Sequence, residues 1–382
     1  MERHWARIWQ QAMTQSFLNG RAFGKNKTIV FSVLSPAGGD RLRVRFSNRY
    51  GKAPSEIGAL TLRIGKSLHH VTLNGKETFC VPIGAECVSD ELAVSISAGE
   101  PIELRLYYTN CILDNNMIEE GATLLKGDHT KDAVISEQVQ KPYLAMLLGA
   151  YNGIPAIEAV ELYTAAPARA IVAFGDSITA LSRWTKPLAK RLSDAYGGDY
   201  VLLNAGISGN CLLCERPGLF GPVYGRRGTV RFSDDVLAVP RLDAVILGLG
   251  VNDASYLSEK TKDTINDQAY IAAITDLTEQ LHARGVRVIM QTITPRLGCA
   301  KYLGTFTPEM ERLRLAWNAW IRSAGIFDYV FDAEAVVAEA HPDGLYYREG
   351  WHQGDHLHPN ETGGKTLADS FDLNQLTGRK QA

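Results

Sequence analysis

The sequence predicts an α/β protein in two parts, an antiparallel β-sandwich followed by a parallel sheet covered by helices. Two changes of texture carry this reading. From Lys27 to Tyr108 the chain offers short alternating or β-branched runs punctuated by Gly, Pro, Asn and Asp. After Ala165-Ala166-Pro167-Ala168, continuous apolar runs alternate with amphipathic stretches. Length agrees, because 382 residues exceed what one hydrophobic core usually fills. The boundary predicted is a sandwich domain over 1–166 and an α/β domain over 167–382.

In the first part the strands are Thr28 to Val33, Leu42 to Phe46, Leu60 to Ile64, Leu92 to Ile96 and Ile102 to Tyr108. Within Leu42-Arg43-Val44-Arg45-Phe46 the apolar residues fall on one face and the arginines on the other, the pattern of a half-buried antiparallel strand. Several such strands separated by turns read as a sandwich. In the second part the runs Ala170 to Phe174, Tyr200 to Leu203, Ala244 to Gly248, Val286 to Met290 and Tyr329 to Phe331 are apolar apart from Arg287, as strands buried on both faces require. Leu188 to Tyr196, Asp263 to Arg284 and Pro308 to Ser323 carry helical spacing between them. Ligands of such sheets bind beyond the carboxyl ends of the strands. The place of each polar motif relative to a strand end is therefore informative.

Composition narrows the function. Hydrophobic residues make up 45% and charged residues 21%, an ordinary globular balance. The net charge of −2 and the absence of a dense Lys/Arg run argue against a nucleic-acid partner. No stretch approaches the roughly 18 to 20 apolar residues of a membrane span, and the charged start Met1-Glu2-Arg3-His4 lacks the apolar segment of a secretory signal. The expectation is a cytoplasmic protein without membrane contact, or a secreted one if a leader was trimmed. The cysteines are Cys80, Cys87, Cys111, Cys211, Cys214 and Cys299. The spacing of Cys211 and Cys214 invites a metal or redox reading, but a zinc site wants about four ligands and no second such pair supplies them. Reduced cysteines packed near the site are the expectation.

Four segments carry polar groups to strand ends. Gly175-Asp176-Ser177-Ile178 follows the first parallel strand and precedes a helix, so Ser177 is either an N-cap or an exposed nucleophile. Near the C-terminus, Asp355 and His358 are three apart, which in a helical turn puts them on one face, with His356 pointing elsewhere. A hydroxyl becomes a nucleophile only when a base takes its proton and a third group holds that base in the right tautomer. His341 is a decoy, since the residue three before it is Ala338. His352 and His356 are the alternatives should His358 not be the base. Asn204 to Asn210 and Gly248 to Asp253 follow two further strands and offer Gly209 and Asn252 as donors to an oxyanion.

Gly175-Asp176-Ser177-Ile178 resembles the GDSL signature, with Ile178 where the signature has leucine. The four segments in order resemble the blocks of the SGNH hydrolases over roughly residues 168 to 372. The resemblance implies a flavodoxin-like sheet of about five parallel strands. It also implies Ser177 as nucleophile and oxyanion donor, Gly209 and Asn252 as the other oxyanion donors, His358 as base and Asp355 as its orienting acid. Gly38 to Gly51, Arg231-Phe232-Ser233-Asp234-Asp235 and Asn318 to Arg322 are similar to a bacterial subgroup with an N-terminal β-sandwich. The function implied is an esterase working through an acyl-Ser177 intermediate without metal or organic cofactor, its first-choice substrate an acetylated carbohydrate. An acyltransferase, a short-chain lipase or a thioesterase would use the same residues. A non-catalytic glycan-binding protein is the remaining alternative. The oligomeric state is left open.

Overall fold

The structure is a computed structural model and describes residues 2–14, 25–110, 122–133, 135, 156–218, 221–257, 260–299 and 306–379. Cys111 falls outside these. The chain forms two compact units, Met1–Arg169 with Ala195–Leu203 and Pro217–Gly225, and Ala170–Asp194 with Asn204–Arg216 and Arg226–Ala382.

The first unit is a β-sandwich. Its strands are β1 (His4–Gln10), β2 (Lys27–Leu34), β3 (Gly39–Ser47), β4 (Ser55–Ile64), β5 (Ser67–Val71), β6 (Phe79–Val81), β7 (Glu86–Val88), β8 (Leu92–Ile96), β9 (Pro101–Asn110), β10 (Thr123–Lys126) and β11 (Ile157–Thr164). One sheet has the order β1-β11-β3-β7 with β8 also on β3, and the other the order β10-β2-β9-β4-β5 with β6 also on β4. Leu42, Val44 and Phe46 of β3 are fully buried in the core shared with Leu60, Leu62, Leu104 and Leu106. Each such side chain contributes about 1.5–3 kcal/mol by leaving water.

Strands β1 and β11 escape the sequence reading because charge interrupts their alternation. The reason is an ion network rather than solvent. Glu161 of β11 is 2% exposed and accepts a 2.6 Å hydrogen bond from Arg43 Nε, while buried Arg7 of β1 lies 3.6 Å from its other oxygen.

The C-terminal part of the chain forms a parallel sheet of β12 (Arg169–Gly175), β13 (Tyr200–Gly206), β14 (Leu242–Gly248), β15 (Arg287–Gln291) and β16 (Tyr329–Phe331) in the order β13-β12-β14-β15-β16. In the numbering of this sheet alone that is 2-1-3-4-5, the doubly wound order whose switch point lies between β12 and β14. The register pairs Gly175 with Gly248, so both strands end at one level. Among the described residues the α-helices are α1 (Ser177–Ala180), α2 (Thr185–Tyr196), α3 (Gly228–Phe232), α4 (Val251–Ser255), α5 (Asp267–His282), α6 (Pro308–Ser323), α7 (Ala333–Val337), α8 (Glu361–Ser370) and α9 (Leu373–Thr377). A short hairpin, β17 (Ala338–His341) with β18 (Gly344–Tyr347), precedes the C-terminal loop.

Helix α5 is shorter than its apolar spacing suggested because Asn266 caps it, accepting from Ala269 N at 2.9 Å. Helix α6 begins with a Thr307 cap and Pro308 in its first turn. Its Trp317 is fully buried and stacks on Tyr270 of α5 at 4.2 Å between ring centroids.

Candidate active site

The turn after β12 admits only glycine at its first position. A Cβ on Gly175 would sit 2.2 Å from Thr179 Oγ1 and 3.1 Å from the Gly248 carbonyl. The next residue, Asp176, caps α1, its Oδ1 accepting from Ile178 N at 3.0 Å. The cap is thus Asp176 and not Ser177, which leaves the serine hydroxyl unspent. Burial pushes the Asp176 carboxyl up to about 6, against the opposing pull of the Ile178 N–H and the nearby positive charges.

Ser177 Oγ lies 2.7 Å from His358 Nε2, and His358 Nδ1 lies 2.6 Å from Asp355 Oδ2. Asp355 is half-buried. Burial raises its pKa, but the hydrogen bond and charge of His358 and the backbone N–H groups of His358 and Leu357 outweigh it and bring the group down to about 2. An ionised Asp355 can only accept, so Nδ1 carries the imidazole proton and Nε2 accepts from the serine hydroxyl.

The segment holding this pair is not the helical turn that the three-residue spacing suggested. It is a bent loop in which Asp355 Oδ1 accepts from Leu357 N at 3.1 Å and His358 N at 3.0 Å. This is an Asx-type turn, which brings positions three apart together just as a helical turn would. His356 takes a left-handed conformation, φ 58°, and its ring lies 4.3 Å from that of His352. His352 Nδ1 accepts from Gly354 N at 3.0 Å and His356 N at 3.1 Å, so its other nitrogen carries the proton toward Glu349 Oε2 at 3.3 Å. His352 therefore braces the loop. His341 sits at the exposed end of β17 against Tyr346.

The donor loops meet each other. Gly209 occupies the left-handed position, φ 71°, of a turn closed by Asn210 N donating to Ile207 O at 3.1 Å. Asn252 lies in the first turn of α4, buried, with Nδ2 donating to the Asn210 carbonyl at 3.1 Å. The amide's second hydrogen is left for another acceptor. Ser177 follows β12 and Asn252 follows β14, so the two flank the switch point of the sheet.

Three positioning residues were not assigned from sequence. Arg231 of α3 is 1% exposed and ties the two loops together. It donates to Gly175 O at 2.9 Å, Ala205 O at 2.8 Å, Asn210 Oδ1 at 2.9 Å and Asp235 Oδ2 at 2.9 Å. Asn204 joins the ends of β13 and α1 by donating to Thr179 O at 2.8 Å while accepting from Gly206 N at 2.8 Å. Asp253 accepts from Leu212 N at 2.8 Å and Leu213 N at 2.7 Å, and burial pushes it up to about 7. The signals available were the place of Asp253 beside Asn252 at the end of a parallel strand and that of Arg231 in the segment Arg231-Phe232-Ser233-Asp234-Asp235.

Among the described residues, two clusters have the spacing of metal ligands, Glu349 with His352 and His356, and Cys211 with Cys214 and Asp253. In the first, a metal on His352 Nε2 would force the ring proton onto Nδ1, where two N–H donors already point. Both oxygens of Asp253 in the second already take backbone hydrogens.

A hydroxyl, an imidazole and a carboxylate in hydrogen-bonded sequence at the carboxyl edge of a doubly wound sheet define the serine acylhydrolase class. Residues 173–365 match the model of the GDSL-like lipase/acylhydrolase family. The chain belongs to that family. Among solved structures it is similar to an acetyl xylan esterase from Geobacillus stearothermophilus, at 18% identity over 55% of this chain and 94% of that one, TM-score 0.39. It is also similar to a GDSL-like lipase from Bacteroides thetaiotaomicron, at 16% identity over 55% of this chain and 88% of that one, TM-score 0.39. A second acetyl xylan esterase matches at 21% identity over 53% of this chain and 96% of that one, TM-score 0.38. No curated protein matches the chain.

Proposed function

We propose that the protein is a serine esterase that removes short acyl groups, acetyl first among them, from carbohydrate through an acyl-Ser177 intermediate. The observation that carries the reading is the unbroken chain from Asp355 through His358 to Ser177 Oγ, with contacts of 2.6 and 2.7 Å. His358 Nε2 takes the serine proton as Oγ attacks the ester carbonyl. The tetrahedral oxyanion is held by the N–H groups of Ser177 and Gly209 and the free hydrogen of the Asn252 amide. Collapse expels the alcohol, which receives the proton from His358. Water then repeats the sequence and releases the acid. No step calls on a metal or an organic cofactor.

The carbohydrate part of the reading rests on the β-sandwich unit, a module suited to glycan contact, and is an analogy at the level of fold. Two experiments test the reading. A fluorophosphonate probe should label the protein and fail to label Ser177→Ala; labelling that survives the substitution removes Ser177 as nucleophile. An acyl-chain series from acetyl to octanoyl, on activated esters and beside acetylated oligosaccharides, should favour acetyl. A preference for octanoyl overturns the substrate and leaves the mechanism standing.

A further inference from the structure

Ester hydrolysis makes no use of the two thiols that follow the Gly209 turn. The sulfurs of Cys211 and Cys214 and a carboxylate oxygen of Asp253 all lie within 4.8 Å of one another. Both cysteines are free, Cys211 fully buried and Cys214 part-exposed. The segment between them is held by backbone hydrogen bonds, several of them tied to the site, and by Thr229 N donating to Leu212 O at 3.2 Å. Leu212 N and Leu213 N donate to Asp253, the neighbour of Asn252, and the Asn210 carbonyl accepts the Asn252 amide. Gly228 N donates to Cys211 O at 2.8 Å.

We propose that Cys211 and Cys214 are a reversible disulfide site that switches the loop carrying Gly209 and Asn210. The inference goes beyond the esterase reading, and only its effect on turnover rests on that reading. The pair is asymmetric in the way thiol–disulfide exchange requires. The hydrogen bond from Cys211 holds the Cys214 thiol below its ordinary value, with Arg216 and Arg227 acting in the same sense against burial and Asp253. As the donor of that bond, Cys211 is raised, and burial raises it further. The accessible Cys214 is thus the attacking thiolate and the buried Cys211 the resolving thiol. The same arginines disfavour a soft cation at this place.

The oxidant is a small-molecule disulfide such as oxidised glutathione. The Cys214 thiolate attacks one of its sulfurs, forming a mixed disulfide and expelling one thiolate. Cys211 loses its proton to that thiolate and attacks the Cys214 sulfur, expelling the second thiolate, which takes a proton from water. Two protein thiols are oxidised to one disulfide and one small disulfide is reduced to two thiols. A disulfide sets the sulfurs about 2.05 Å apart, well inside non-bonded contact. Closing it draws residues 211 and 214 together and displaces the Leu212 and Leu213 amides from Asp253. The donors beside them shift as well.

The test incubates the full-length protein with oxidised glutathione, then digests it under non-reducing conditions. The expected result is a peptide containing both cysteines that is two hydrogens lighter, with faster amide exchange across 207–214. Ester turnover should fall at least about tenfold and return with dithiothreitol. Cys211→Ser/Cys214→Ser should keep its basal turnover and lose the response, while Cys80→Ser/Cys87→Ser should keep the response. A glutathione adduct that stays on Cys214, or a disulfide that changes neither exchange nor turnover, overturns the proposal. Absence of turnover in the reduced protein would overturn the esterase reading instead, leaving the mass and exchange readouts to decide this one.

Discussion

Asp355 accepts three hydrogen bonds, two from the backbone of its own turn and one from His358 Nδ1. The first two set the loop and the third sets the tautomer of His358, so in the proposed mechanism Asp355 orients the base and does not itself take a proton. Removing the base removes proton transfer altogether. His358→Ala is expected to lower kcat by about 10³-fold or more. Asp355→Asn should lose less, by about one to two orders of magnitude, since the imidazole remains in place with its tautomer unsettled. Steady-state kinetics on an activated acetyl ester measures both, and equal losses would mean that Asp355 does more than orient. With Asp355 at about 2, its charge is constant above pH 4 and adds no limb to the rate profile there. The stability it supplies is present above the ordinary aspartate range and fades as pH falls toward 2.

The pairing of Asp355 with His358 was legible because an Asx turn and a helical turn bring the same spacing together. That Asp176 is the cap was not legible, since aspartate and serine are both good caps and only the hydrogen bond to Ile178 separates them.

At the scale of elements, α3 does more for the site than its five residues suggest. Its Arg231 presents a planar fork to the carbonyls of Gly175 and Ala205 and to Asn210, with Asp235 compensating the charge and the Phe174 ring 4.1 Å beneath it. Lysine carries a point charge and cannot span these acceptors together. Arg231→Lys should therefore lower kcat about tenfold with little change in KM and slow fluorophosphonate labelling of Ser177 at temperatures where the fold is intact. It should also cost about 2–4 kcal/mol of stability, read from a denaturant midpoint. A variant that loses stability but labels at the normal rate would reduce Arg231 to a structural residue.

Elements were legible where one physical rule acted alone. The parallel strands are buried on both faces and read as apolar runs, and α6 has its cap, its proline and its spacing in agreement. Strands β1 and β11 were hidden because Arg7, Glu158 and Glu161 are buried in pairs, and charge inside a strand reads as an interruption. The hairpin β17–β18 is four residues a side, too short for alternation to register.

For the molecule as a whole, the carboxylates divide by the direction of their shifts, and the division fixes how stability follows pH. Asp176 and Asp253 are buried and raised to about 6 and about 7, with desolvation the leading cause in each. Glu158 is raised for the same reason. Between the unfolded aspartate value of roughly 3.9 and these folded values, the native state holds protons that the unfolded chain has released. Stability therefore falls as pH rises through that window. His129, raised chiefly by its hydrogen bond to Asp132, acts in the same direction. Asp328, Asp332 and Asp355 are lowered, and their contribution is lost only below about pH 4. The two sets meet at the unfolded aspartate value, so stability should peak at about pH 4.

The denaturant midpoint, followed through the buried Trp184 and Trp317, should be higher at pH 5 than at pH 8 by the equivalent of a few kcal/mol. Asp253→Asn cannot ionise. It should flatten the dependence between pH 5 and 8 while lowering the midpoint at both, because one amide oxygen replaces two carboxylate oxygens as acceptor for Leu212 and Leu213. An Asp253→Asn protein that keeps the full pH dependence would move its origin to Asp176 and Glu158. A native protein equally stable at pH 5 and pH 8 would mean that neither buried aspartate holds its proton into the neutral range.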